Sequence, residues 1–375
     1  MGNTIEQKVN DTFHYLHNHA EISWEEVETT KYIKNQLEKS GCNVTVFEDC
    51  TGVIGEFGNF DKGLPVVGIR ADMDALWQEV NGKFQANHSC GHDAHMAMVL
   101  GVLWKLVQTP EIADQVAVKF IFQPAEENGT GALKMVEKKV IDNVDYLFGI
   151  HLRPSQETKM GQATPVIVHG ATKMYSADIK GEDAHGARPH LNHNAIEIGA
   201  QIVNMISQIH LDPRIPHSVK MTKFQAGGKN TNIIPGNASF SLDLRAQNNK
   251  LIDQLEKKVN SIFESIRNLY DVDIEITSVG GIAAAETNEE AISIMSQSIK
   301  ETIGEENLTP PLVTPGGDDF HFYTIEKPSL KATMLGLGCD LQPGLHHPHM
   351  TFNEKALMNG VEILHRAVLN TYNIQ

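Results

Sequence analysis

Cysteine is scarce in this chain of 375 residues: there are four, Cys42, Cys50, Cys90 and Cys339. So few, so widely spaced, exclude a disulfide scaffold. Basic residues are also in deficit, 31 Lys and Arg against 47 acids, for a formal charge of -16. A surface of that sign repels phosphate, and no Lys/Arg cluster offsets it, so neither nucleic acid nor an anionic membrane is expected as a partner. No apolar run approaches the ~20 residues of a membrane span. The start, MGNTIEQKVNDTFHYL, lacks the basic and apolar regions of a signal peptide, and a cytoplasmic location is expected. With 41% hydrophobic and 21% charged residues, the composition is that of an ordinary globular protein. The length favours two domains, or one large domain carrying an insertion.

The first part of the chain reads as α/β. Residues 3–18 and 24–40 are predicted helices, the second with Ser23 as N-cap, Glu26 three residues later and Gly41 past its end. Short β-rich runs follow, NVTVFE, GVIGEF and PVVGIRAD, and then a helix from about His95 that is apolar nearly all round. Such a helix is buried, as expected over a sheet covered on both faces. VAVKFIFQ, a helix at 131–139 and YLFGIH continue the pattern. From about residue 171 the rhythm changes to β-α-β-β-α-β, the ferredoxin-like order. The α/β pattern resumes with helices at 288–303 and 354–372, the last with an apolar stripe of Leu357, Val361, Leu364 and Val368. An inserted α+β domain, 171–284, inside an α/β domain formed by 1–170 and 285–375 is the expected architecture.

Polar clusters fall at the ends of the predicted strands: RADMDAL with Asp72 and Asp74, HSCGHDAH with Cys90 and His92, FQPAEENG with Glu126 and Glu127, GIHLRP with His151, and GLHHPHM before the last helix. Each alone has a plain structural reading. Asp72 and Asp74 suit a turn or cap, Cys90 a buried small apolar site, and Glu126 and Glu127 a helix N-terminus. Cys, His and Glu at successive strand ends nevertheless form the N/S/O donor set of Zn or Mn. Of two adjacent glutamates in extended backbone, one can ligate while the other takes a proton from water, which equips a site for amide hydrolysis. The position of Cys90 just ahead of a helix N-terminus further predicts a thiolate.

These stretches, with HNHAEISWEEVETT, NIIPG, FSLDLRAQ, GGDDF and LHHPHMTFNE, resemble in order and over almost the full length the M20 family of metallopeptidases. Within it they resemble the amidohydrolase branch of hippurate hydrolases, indoleacetyl-amino-acid hydrolases and N-acyl-amino-acid deacylases. The resemblance implies a zinc-peptidase-like α/β catalytic domain with an inserted ferredoxin-like lid that serves dimerisation. It implies two divalent metal ions (Zn, Mn or Co) held by Cys90, His92, Glu127, His151 and His346, with Glu126 as general base. Asp72 and Asp74 would orient the ligands; Asp72 stands where the wider family has a histidine ligand. In the lid, GEDAHGARPH implies that His185 stabilises the oxyanion, from the other subunit in dimeric relatives, although Glu182 and Asp183 replace the usual small residues. Asn232 and Arg245 would hold a substrate carboxylate, and Gly317 would belong to a substrate-side turn. Arg245 reads equally well as a salt-bridged strand arginine. The expected activity is hydrolysis of an N-acyl amino acid or similar small amide, with a dipeptidase as the alternative and an inactive binding protein as a remote one.

Overall fold

The computed structural model describes residues 4–374, so position 3 of the first predicted helix lies outside it. The chain folds into two compact units: Met1–Val168, Glu286–Val313 and Asp319–Gln375 form the first, His169–Ala285 and Thr314–Asp318 the second. The short return of Thr314–Asp318 puts Gly317 in the second unit, outside the 171–284 span expected from the sequence.

The first unit is built on a seven-stranded sheet. Across it the strands are Asn43–Val46, Val53–Gly58, Ala117–Gln123, Val67–Asp72, Tyr146–Pro154, Lys331–Leu341 and Ala163–Thr164. The four strands from Ala117–Gln123 to Lys331–Leu341 are mutually parallel. Val67–Asp72 and Ala117–Gln123 are buried at every position, which explains why apolar residues fall on both faces of each strand: both faces are covered. The helix His92–Val107 is buried along most of its length. It shares one core with Val9, Phe13 and Leu16 of Ile5–His17 and with Leu357, Val361, Leu364 and Val368 of Ala356–Thr371. Parallel strands have their C-terminal ends on one edge, so Asp72, Gln123, His151 and Leu341 open onto the same side of the sheet.

The second unit is a four-stranded antiparallel sheet in the order His217–Ala226, Ala238–Ala246, Ala171–Lys180, Asp273–Ile282. The helices Ala195–Ser207 and Asn249–Tyr270 complete the β-α-β-β-α-β order. Strict alternation makes the sheet one-sided: Ala238, Phe240, Leu242, Leu244 and Ala246 are buried, and they share a core with Ile198 and Ile202 and with Leu255, Val259 and Phe263. Among the described residues no helix is long and apolar enough to cross a membrane.

The start predicted for the second helix is corrected. The second helix is Val27–Lys39, with Glu26 at its N-cap and no side-chain cap. Trp24 is left-handed, with φ 70°, and the capping role passes to the Glu21 carboxylate, which accepts from the amides of Glu28 and Thr29. Ser23 and Glu26 point elsewhere. The Ser23 hydroxyl donates to Asp74 Oδ2 at 2.6 Å, and Glu26 Oε1 accepts from the Ala125 amide at 2.8 Å.

Candidate metal centre

The residues 88–95 set the first corner. Gly91 has φ 89° and is the N-cap of His92–Val107, so the helix begins three residues earlier than predicted and His92 lies in its first turn. A Cβ on Gly91 would come within 2.9 Å of Leu152 Cδ1, in a backbone conformation that also disfavours one. This turn places Cys90 Sγ 3.6 Å from His151 Nε2. His151 Nδ1 lies 2.7 Å from the Leu152 carbonyl, and His92 Nδ1 lies 2.8 Å from the Asp74 carbonyl. A carbonyl can only accept, so each Nδ1 carries the proton and each Nε2 presents a lone pair inward.

The second corner is the turn after Ala117–Gln123. Glu126 and Glu127 lie in a turn that precedes the helix Gly131–Glu137, not in its first turn. Ala125 is left-handed, with φ 53°. Three successive amides there donate to buried acids: Ala125 to Glu26 Oε1 at 2.8 Å, Glu126 to Asp74 Oδ1 at 3.1 Å and Glu127 to Asp74 Oδ2 at 3.0 Å. Gly131 closes the turn from behind, where a Cβ would sit 1.7 Å from the Pro124 carbonyl oxygen. His92 Nε2 is 3.9 Å from both Glu126 Oε2 and Glu127 Oε1. The third corner is the loop after Lys331–Leu341. His346, with φ 63°, places Nε2 3.4 Å from Glu127 Oε1. Its backbone is held by the Ser89 carbonyl at 2.7 Å and by the Gln78 amide at 3.2 Å. His347 instead accepts from the His349 amide.

Donor atoms of the expected ligands and of Glu126 therefore converge in three overlapping groups: Cys90, His92 and His151; Cys90, Glu127 and His346; His92, Glu126 and Glu127. Two of these atoms, His92 Nε2 and Glu127 Oε1, are buried and make no hydrogen bond. Buried polar atoms are nearly always satisfied, so an orphaned imidazole lone pair beside an orphaned carboxylate oxygen is the donor pattern a divalent cation fits. Burial, reinforced by the Glu127 charge, drives the Cys90 thiol well above its usual range. The sulfur is enclosed, and a cation at the site would favour the ionised form expected from its place at the helix end.

Asp72 and Asp74 lie behind these groups. Asp74 carries the two glutamate amides and the Ser23 hydroxyl. Asp72 Oδ1 lies 2.7 Å from His95 Nδ1, and Oδ2 accepts from Arg70 Nη1 at 2.5 Å. His95 is a site residue that sequence reasoning missed. Its Nε2 accepts from the Leu152 amide at 3.0 Å, so it ties Asp72 to the backbone beside His151. The i, i+3 spacing of His92 and His95 on one helix face was the available signal. Burial works against the Asp72 carboxylate, yet the His92 ring when protonated and the Arg70 guanidinium beside it hold it well below the ordinary range.

The remaining candidates lie in the second unit. Ala184–His185 pairs with Ile233–Ile234, and the Gly186 amide donates to the Asn232 carbonyl at 2.7 Å, so His185 and Asn232 share one short ladder. His185 Nδ1 accepts from the Ala187 amide. Arg245 makes a two-pronged ion pair with Asp243, Nε–Oδ1 3.0 Å and Nη2–Oδ2 3.1 Å, and reaches the Pro315 carbonyl at 3.5 Å. Gly317 packs near Ile282.

Residues 68–370 match the model of peptidase family M20/M25/M40. The chain belongs to this family. A peptidase breaks an amide C–N bond by adding water, so M20 membership makes the protein a hydrolase of that bond class. Among M20-type relatives, IAA-amino acid hydrolase ILR1-like 4 of Arabidopsis thaliana is 30% identical, over 96% of this chain and 84% of its own length. Hippurate hydrolase of Campylobacter jejuni is 29% identical, over 92% of this chain and 91% of its own. The fold is similar to that of the Bacillus subtilis YXEP protein, described as a dinuclear metal-binding peptidase of the M20 family, with TM-score 0.80, 24% identity and 99% of both chains covered.

One pH effect arises here. Burial pushes the Glu26 carboxyl up from 4.5 to about 7, against the hydrogen bond from Thr51 and with the repulsion of Asp74. The folded state therefore holds this proton more tightly than the unfolded chain. Its contribution to stability is intact below pH 4.5 and is lost as pH rises through 7. Glu26→Gln removes the titration while keeping the shape. The variant is expected to exceed the parent in stability above pH 7 by on the order of 3 kcal/mol, with the gap closing towards pH 4.5. Urea unfolding at pH 5 and pH 8 measures it; an equal gap at both values would refute it.

Proposed function

We propose that the protein is a metal-dependent amidohydrolase that releases a carboxylic acid and an amino acid from N-acyl amino acids or related small conjugates. The observation that carries this reading is the convergence of Cys90, His92, Glu126, Glu127, His151 and His346 at one sheet edge, with the His92 and Glu127 donor atoms left unsatisfied. Support for the substrate class comes from the relatives, whose names specify IAA-amino acids and hippurate.

On this reading Cys90, His92, Glu127, His151 and His346 would hold two divalent ions. Bound there, such ions would polarise the amide carbonyl and lower the pKa of water towards ~7. Glu126 takes the proton of the attacking water at its carboxylate and delivers it to the leaving amine nitrogen, a transfer that needs no ligand duty from that side chain. Asp74 keeps Glu126 and Glu127 aimed differently by gripping both amides. His185 donates a hydrogen bond to the oxygen that gains charge. Arg245 and Asn232 hold the substrate carboxylate beside the Gly317 turn; the planar guanidinium suits that partner, which would then replace or share Asp243. We further infer a cytoplasmic homodimer that associates through the second unit.

The test compares chelator-stripped protein with protein reloaded with Mn, Zn or Co, on N-acetyl, N-benzoyl and indoleacetyl amino acids and on dipeptides, scoring free amine. Cleavage of acyl conjugates that depends on metal is the expected result. Cleavage confined to dipeptides would move the protein to the dipeptidase reading, and silence at full metal loading would sink the hydrolase assignment.

A further inference from the structure

The strap 21–26 holds none of the proposed ligands or catalytic groups, yet it reaches the core of the site by three routes. Its backbone pairs with the strand end through a parallel bridge between Ile22 and Ala75, and the Ala75 amide donates to the Glu21 carbonyl at 2.8 Å. Ser23 donates to Asp74. Glu26, wholly buried, accepts the Ala125 amide on Oε1 and the Thr51 hydroxyl on Oε2 at 2.6 Å.

We propose that Glu26 is a positioning residue of the hydrolytic site: with Asp74 it forms a clamp of two carboxylates on the consecutive amides of Ala125, Glu126 and Glu127. The inference rests on the amidohydrolase reading for its effect on turnover, but the clamp itself does not. Ala125 is a non-glycine residue in left-handed backbone, a conformation that persists only when its surroundings impose it. Rotation at that residue would swing the two side chains that follow it, Glu126 and Glu127, away from His92. The Ala125 amide is the anchor nearest to that rotation, and Glu26 is its acceptor.

The chemistry separates position from charge. Glu26→Gln keeps both contacts, since its carbonyl oxygen accepts from Ala125 and its amide donates to the Thr51 hydroxyl. Glu26→Ala keeps neither. In the metal-loaded enzyme Glu26→Ala is expected to lower kcat about a hundredfold, the usual result of a ~1 Å misplacement, with KM within about threefold of the parent. Glu26→Gln is expected to hold kcat within about threefold of the parent. Parental kcat in Glu26→Ala, or equal losses in the two variants, would overturn the proposal; so would recovery of Glu26→Ala on added metal, which would indicate lost affinity and not lost aim. Should Glu26→Ala fail to fold, Thr51→Val releases only one of the two tethers; a several-fold fall in kcat supports the clamp and an unchanged kcat refutes it.

Hydrogen exchange over residues 122–131 reads the clamp without any substrate. The amides of Ala125 to Glu127 are expected to exchange about tenfold faster in Glu26→Ala than in the parent or Glu26→Gln. Unchanged exchange removes the proposal whatever the protein cleaves. Faster exchange in an enzyme inert on every amide tested would uphold the clamp and reject the hydrolase reading instead.

Discussion

Glu126→Gln is expected to lower kcat by about a thousandfold, within the range assigned to a positioned general base, while bound metal and KM stay at parental values. The substitution replaces one oxygen by an amide nitrogen of the same size, so the side chain occupies the same space. The backbone contact that places it, from the Glu126 amide to Asp74 Oδ1, does not involve the side chain at all. The five proposed ligands remain, and the His92 Nε2 and Glu127 Oε1 atoms still face each other at 3.9 Å. What the amide cannot do is accept a proton from water and return it to the departing nitrogen. Steady-state kinetics with metal analysis on the same preparation decides the matter. Undiminished turnover would remove Glu126 from the base role, and loss of metal along with turnover would make it a ligand.

Arg70→Met is expected to destabilise the fold by about 3–5 kcal/mol, the cost of breaking a buried ion pair from one side. Arg70 is fully buried, and its three guanidinium nitrogens each meet an acceptor: Nε to Gln123 Oε1 at 2.9 Å, Nη1 to Asp72 Oδ2 at 2.5 Å and Nη2 to Asp319 Oδ1 at 2.9 Å. Methionine fills similar volume but leaves two buried carboxylates, Asp72 and Asp319, without their common cation. Asp319 also accepts from the Ala132 amide and from Gln123, so its displacement would disturb the helix that follows the glutamate turn. Arg70→Lys is expected to recover only part of the loss, because an ammonium cannot serve three divergent acceptors in a plane. Urea unfolding measures both variants; a change below ~1 kcal/mol for methionine would show that the network is not what holds this side of the site.

Glu126 and Arg70 belong to different layers of one site, and those layers were unequally legible in the sequence. The strand ends were readable because they are local. Mostly apolar runs such as VAVKFIFQ end abruptly in polar residues, and an apolar helix announces burial, so Asp72, Cys90, His92, Glu126, Glu127 and His151 stand out as candidates. The α/β character of the chain and the family resemblance were legible on the same basis. The strand Lys331–Leu341, although buried at nearly every position, was not read as a strand because glycines interrupt its apolar pattern. The hairpin of Leu76–Val80 and Lys83–Asn87 was likewise missed, since its exposed faces carry no hydrophobic alternation.

What the sequence by itself determined is the inventory: which donor types exist, that they sit at element ends, and that an acid without ligand duty accompanies them. The tertiary structure alone decided how these groups are oriented and in what state they rest. Ser23 and Glu26 have the spacing of a helix cap, yet they serve Asp74 and Ala125, because hydrogen bonds across elements can satisfy the same side chains as local ones. Cys90 has the position of a helix-end thiolate, yet its enclosure raises the thiol, because desolvation depends on what packs around an atom and not on its neighbours in the chain. His95 and Arg70 looked like ordinary residues of a helix and a strand until folding brought Leu152, Gln123 and Asp319 to them. Local patterns carry residue type and period; long-range packing sets partners, dielectric and aim.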